Sequence, residues 1–233
     1  MITSLQILDP DECDKLVDSV LSLRSHWITK GGDPASFFTL GAASYLEDLD
    51  DYKLNAQTLN PVLLQNFDWL FERVKESLMR QFRAPVALSD QHAYPGFHIW
   101  DTPGIFDKPL ASTHFDLQYD RVWERDDKTD FQHPVSFTLP IRLPARGGGL
   151  NLWEISYDRY LNFYNATNPK MQPSDIARLI DPIRYPYSVG ALSLHSGQYL
   201  HQIAPVDKVM PGDMRITLQG HGLFSEGEWK LYW

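Results

Sequence analysis

Leu200-His201-Gln202-Ile203-Ala204-Pro205-Val206, followed by Asp213-Met214-Arg215-Ile216-Thr217-Leu218, is the stretch that decides how this chain reads. In an extended strand alternate side chains share a face, so Arg215 and Thr217 point one way while Ile216 and Leu218 point the other. Working back from there, the sequence is short β-rich pieces separated by Gly, Pro and Asp as far as Ala84-Pro85. Candidate strands are 86–89, 93–100, 112–118, 135–143, 150–154, 191–195, 199–206, 213–220 and 229–233. Many short strands at fairly regular spacing predict a sandwich or a barrel.

The first third differs. Asp9-Pro10-Asp11 opens a segment in which Leu16, Val17, Val20, Leu21 and Leu23 recur at helical spacing, ending near Ser25. A second helix is expected from Asn60 to about Phe82. Asn60 suits the cap, Pro61 the first turn, and Leu63, Leu64, Phe67, Leu70, Phe71, Val74 and Leu78 form an apolar stripe. Helices first and small strands later predict an α+β domain: a double-stranded β-helix (jelly-roll) barrel over 85–233, buttressed by a mainly helical support layer over 1–84. The Tyr- and Asn-rich stretch 155–188 breaks the strand rhythm, with a short helix expected after Pro173-Ser174-Asp175. It is expected to leave the barrel as a lid. All 233 residues fit one domain.

Composition narrows the function. Hydrophobic residues are 43% and charged residues 22%, as in ordinary globular proteins. A net charge of -9 with no basic stripe argues against nucleic acid as a partner. The acidic stretches 47–51 and 126–130 read as solvated loops. Cys13 is the single cysteine, which removes disulfides and cysteine-based zinc motifs. The start Met1-Ile2-Thr3-Ser4 has no secretory pattern and no apolar run reaches a membrane span, so a cytoplasmic location is expected. Asn165-Ala166-Thr167 matches a glycosylation sequon that carries no weight in that setting.

The chemistry lies in His114-Phe115-Asp116 together with His201. On a strand, His114 and Asp116 share a face, with Phe115 opposite and Gln118 on the metal face if the strand continues. Two imidazoles and one carboxylate are the ligand set that holds a mononuclear non-haem Fe(II) and leaves positions open. His195 competes with His201 for the second imidazole. Choosing it would lengthen the gap to Arg215 to twenty residues, and the segment after His201 fits better. Arg215 and Thr217 offer a guanidinium fork and a hydroxyl suited to a carboxylate, the alternative being a structural salt bridge. His98, Trp100, Gln118 and Trp153 are candidates for the substrate pocket. His26, His92, His133 and His221 show no partner pattern. Arg146-Gly147-Gly148-Gly149-Leu150 lacks the ending and the helix of a phosphate loop and reads as a tight turn. No Gly-x-Ser-x-Gly elbow is present.

His114-x-Asp116, then His201, then Arg215-x-Thr217 resembles the Fe(II)/2-oxoglutarate-dependent dioxygenase superfamily over residues 94–221. The run from Ser136 to Pro144 and the Gly-rich turn Gly147-Gly148-Gly149 look like the paired strands between the two metal histidines in many members. The resemblance implies that His114, Asp116 and His201 ligate Fe(II), and that Arg215 and Thr217 hold the far carboxylate of 2-oxoglutarate. It further implies that O2 is consumed as 2-oxoglutarate becomes succinate and CO2. Retention of Asp116 argues against the related halogenases. Hydroxylation of an unactivated C–H in a small molecule, an amino acid or natural-product intermediate, is the expected outcome. Desaturation or ring closure would use the same residues, and a cupin-like metal- or ligand-binding barrel without 2-oxoglutarate is the reading from another class.

Overall fold

The computed structural model describes residues 2–32, 36–101, 112–168 and 170–233. Two mainly antiparallel sheets carry the described strands. The larger runs β1 (Thr3–Gln6), β9 (Ala191–Ser196), β6 (Thr129–Arg142), β11 (Arg215–Ser225), β5 (Gly96–Trp100), β3 (Phe37–Leu40) and β2 (Ile28–Lys30). The far end of β11 also pairs β12 (Glu228–Tyr232), which pairs β4 (Val86–Leu88) in parallel. The smaller sheet is β10 (Tyr199–Ile203), β7 (Leu150–Ser156) and β8 (Ile183–Tyr185).

Alternation gives the larger sheet two unlike faces. Phe97, Ile99, Leu139, Ile141, Leu192, Ile216 and Leu218 pack against two helices. Helix α1 (Pro10–Ser22) begins with a reciprocal cap. The Asp9 carboxylate accepts from the Glu12 amide at 2.8 Å, and Glu12 accepts from the Asp9 amide at 2.9 Å. It buries Leu16, Val17 and Val20. Helix α2 (Leu49–Phe82) adds Leu63, Phe67, Leu70, Phe71, Val74 and Leu78. Each such apolar side chain contributes about 1.5–3 kcal/mol on burial.

The start of α2 corrects the expectation of a cap at Asn60. Asp48 caps it, accepting from the Asp50 and Asp51 amides at 3.1 and 2.9 Å. Asn60 serves instead as a tether: its side chain donates to the His92 carbonyl and accepts from the Tyr94 amide, both at 2.9 Å. Pro61 therefore lies inside the helix, whose dihedrals break at Phe67 (φ -131°, ψ 19°). Nor is 47–51 a solvated loop. Asp50 and Asp51 occupy the first helical turn, where carboxylates suit the helix dipole. The Glu47 side chain is buried and paired with Lys30 at 2.8 Å.

The support layer is less helical than expected, because β1, β2 and β3 also lie in the first third. These strands have only four, three and four residues, too few to display a period. The stretch 112–118 is not a strand either. One bridge joins His114 to His201, and Tyr119–Val122 forms a short helix, α3. The excursion leaves β7 through α4 (Tyr157–Arg159) and a π-helical turn (Tyr160–Asn165). It then forms α5 (Pro173–Leu179), where a short helix was expected, and returns as β8. It packs on Trp153, Ile155 and Leu200 through Tyr160 and Ile176.

Candidate metal centre

His114 and His201 face each other across the single bridge, each backbone amide donating to the other's carbonyl at 3.0 Å. Their rings are fixed in the same way. His114 Nδ1 donates to the Ser112 carbonyl at 2.6 Å and His201 Nδ1 to the Tyr199 carbonyl at 2.7 Å. A carbonyl only accepts, so in the neutral rings the proton sits on Nδ1 and both Nε2 lone pairs are free to bind a metal. Those Nε2 atoms converge on one carboxylate: His114 Nε2 lies 3.5 Å from Asp116 Oδ1 and His201 Nε2 3.3 Å from Asp116 Oδ2. The three candidate ligand atoms lie within 4.8 Å of one another. Carbonyl-anchored imidazoles are the outer support that metal-binding histidines use.

Asp116 is held from several sides. Its amide donates to the Gly197 carbonyl at 2.7 Å, and Gln118 Nε2 donates to Oδ1 at 2.9 Å. A Cβ on Gly197 would stand 2.8 Å from Asp116 Cβ and from Ser136 Oγ, so this close approach needs glycine. Burial alone would raise the Asp116 pKa. The His201 and His114 imidazoles outweigh it and hold the carboxyl well below the usual range. Burial likewise opposes protonation of His114, but the Asp116 carboxylate prevails and its pKa is raised. The site thus favours a positive charge between these three groups, which a divalent cation supplies.

Other buried histidines surround the triad. His195 stacks edge-on to His201 at 4.9 Å, and burial, reinforced by His201, pushes its pKa down to about 4. His221 Nδ1 lies 3.0 Å from Ser136 Oγ and 4.0 Å from Asp116 Oδ2, and burial lowers its pKa. His98 accepts or donates through Nε2 to Tyr45 Oη at 2.8 Å, while burial and then Arg215 hold its pKa well below normal. At neutral pH these three rings are uncharged.

Beside them Arg215 is fully buried on β11. Nη1 donates to Thr217 Oγ1 at 3.2 Å and the guanidinium lies 4.9 Å over the Trp100 ring. Nε and Nη2 have no partner, and burial pushes the pKa down to about 10. A cation buried with two unanswered donor nitrogens is costly. A carboxylate received there meets both needs, so these residues fit the far end of a dicarboxylate.

A cavity of about 490 Å³ opens beside the triad, and Arg215 and Thr217 lie behind its wall rather than among the residues that line it. His114, Asp116, His201, His98, Trp100 and Gln118 line it, and Arg215 and Thr217 are the cross-strand partners of Trp100 and His98. Trp153 does not line it. It follows Leu152 on β7, so its ring points to the opposite face, where Nε1 donates to the Ile180 carbonyl at 2.7 Å. Of the excursion, Tyr187 alone among the described residues lines the cavity. Tyr45, Arg121, Tyr187 and His221 line the cavity without having been singled out as site residues by sequence. His221 had a signal, since 215, 217, 219 and 221 share one strand face; Tyr45, in a turn, had none.

Neither a family model nor a curated protein matches this sequence. Solved structures match it in shape. An N-substituted L-amino acid dioxygenase from Burkholderia ambifaria AMMD is 14% identical, with a TM-score of 0.58 over 99% of this chain and 85% of that one. Its complex with alpha-KG gives a TM-score of 0.54 at 15% identity, over 99% of this chain and 85% of that one. The non-heme alpha ketoglutarate dependent epimerase SnoN from nogalamycin biosynthesis gives 0.55 at 11% identity, over 96% of this chain and 76% of that one. The chain therefore shares the fold of these structures.

Proposed function

We propose that this chain is a non-haem Fe(II)- and 2-oxoglutarate-dependent oxygenase that hydroxylates an unactivated C–H of a small molecule, its sheets forming one jelly-roll oxygenase domain. The observation that carries the reading is the buried Arg215 guanidinium, with two donor nitrogens unpartnered, beside a His-Asp-His cluster. A metal-binding barrel without a dicarboxylate gives that cation no purpose.

In this reading His114, Asp116 and His201 would hold the iron, and the Ser112 and Tyr199 carbonyls aim the two imidazoles. Gln118 and Gly197 keep the Asp116 carboxylate in place. Arg215 and Thr217 take the far carboxylate of 2-oxoglutarate, and Trp100 stacks on the guanidinium. Iron, 2-oxoglutarate and O2 together supply the oxidant, one oxygen atom entering the substrate and the other the succinate released with CO2. The aromatic residues of the cavity wall, Phe37, Trp100, Phe115 and Tyr187 among them, would limit water in the cavity. A net charge of -9 supports a small-molecule substrate over nucleic acid.

Anaerobic mixing of the protein with Fe(II) and 2-oxoglutarate tests this. A weak visible charge-transfer band is expected, lost in His201→Ala and largely kept in His195→Ala. Metal-loaded protein with no band, forming no succinate under O2, would overturn the proposal. The reverse result for the two variants would move the second imidazole ligand to His195.

A further inference from the structure

Two cavity residues stand one helical turn apart, at the start and in the body of α3, and neither is used in holding the cosubstrate. Gln118 spends its amide N–H on Asp116, which leaves Oε1 buried and without a donor, although the residue is only 7% exposed. Arg121 is anchored by donating to the Glu47 carbonyl at 2.8 Å. No carboxylate among the described residues pairs with it; the neighbouring Glu47 is taken by Lys30, and Asp120 by Arg125.

Arg121 is exposed to solvent where it lines the cavity, and the charges of the site indicate what it can meet there. Asp116 and Arg121 are the formally charged residues in the cavity wall among those described. On the reading above, the two positive charges of iron and the buried Arg215 balance Asp116 and the two carboxylates of 2-oxoglutarate. Arg121 is the charge left over, held at a wall whose aromatic members are Phe37, Tyr45, Trp100, Phe115, Phe137 and Tyr187.

We propose that Arg121 is a specificity-determining residue, which takes the carboxylate of a small acid whose apolar body lies on the aromatic wall and whose N–H or O–H donates to Gln118 Oε1. A guanidinium presents paired donors that match a carboxylate, and an anchored one loses little freedom in binding. The inference rests on the oxygenase reading for its charge balance, but its test does not.

Binding is measured by ligand-observed NMR under anaerobic Fe(II) and saturating 2-oxoglutarate, which occupies Arg215. The probes are N-acetylphenylalanine with its primary amide, and 3-phenylpropionate with 3-phenylpropionamide. Each acid is expected to bind roughly tenfold more tightly than its amide, the scale of one partly exposed charge-assisted contact. Arg121→Gln should erase that preference, Arg121→Lys should keep part of it, and both should leave the amides unchanged. N-acetylphenylalanine should lose affinity in Gln118→Leu more than 3-phenylpropionate, which has no donor. Equal binding of acid and amide, a preference that survives Arg121→Gln, or no acid binding to the wild-type protein overturns the proposal. A missing charge-transfer band in the same samples would count against the oxygenase reading, while the acid–amide comparison still decides the role of Arg121.

Discussion

The two faces of the larger sheet are equally dry and chemically opposite. On β11 alone, Ile216 and Leu218 on one side and Arg215 and Thr217 on the other are all 0% exposed. The helix-facing side is apolar and complete. The cavity side holds Arg215 Nε and Nη2, His98 Nδ1 and Trp100 Nε1 with no partner, and Gln118 Oε1 joins them from α3. Buried polar atoms normally find partners, so a cluster of orphans on one face marks where the protein waits for a ligand. One face stores stability and the other gives some of it up.

Cutting into the apolar face should produce the larger stability change. Leu218→Ala removes a side chain between the sheet and the helices and is expected to cost about 2–5 kcal/mol in denaturant unfolding. Its folded fraction should still give the iron–2-oxoglutarate band. Loss of the band without loss of stability would mean that the faces are not separable in this way. Arg215→Met should do the reverse. It replaces a buried cation lacking partners by an apolar chain of similar length, so the metal-free protein should be as stable as wild type or gain about 1–3 kcal/mol. Affinity for 2-oxoglutarate, read by titrating the band, should fall by roughly 100-fold, the scale of a charged hydrogen-bonding pair. Lower stability with unchanged cosubstrate affinity would make Arg215 a structural residue.

How far sequence could reach follows from the same contrast. Period-two alternation in Arg215-Ile216-Thr217-Leu218 reads directly, because both faces are buried and neither tolerates a slip in register. Carried on, it reaches His221, and applied to β7 it turns Trp153 away from Leu150 and the cavity. What periodicity could not show lies where no period exists. Tyr45 precedes α2 in a turn, and Asn60-Pro61 imitates a helix start while α2 runs through it. The 112–118 segment is held by its bridge to His201 and by the Gly197 carbonyl rather than by a ladder. His114 and Asp116 nevertheless converge, since one bridge and one backbone hydrogen bond suffice to orient alternate residues of an extended stretch.

A smaller effect separates a satisfied buried histidine from the unsatisfied ones. His92 lies outside the cavity and has both nitrogens used: Nδ1 is 2.7 Å from Ser89 Oγ and Nε2 is 3.0 Å from the Val122 carbonyl. Nε2 must donate to that carbonyl, so Nδ1 accepts from the Ser89 hydroxyl and the ring is neutral, stacked on Trp123 at 4.4 Å. Burial lowers its pKa below the ordinary 6.5 despite the Val122 contact. Below that ordinary value the unfolded chain therefore binds more protons at this site than the folded protein does. The stability that His92 provides is complete above about pH 6.5 and is lost as pH falls from there toward its folded pKa, with a slope of at most about 1.4 kcal/mol per pH unit. Urea unfolding of metal-free protein at a series of pH values should show a shallower acid loss in His92→Gln than in wild type. Parallel pH profiles for wild type and His92→Gln would show that this ring can take its proton without loss. The contrast between satisfied and waiting histidines would then rest on the cavity alone.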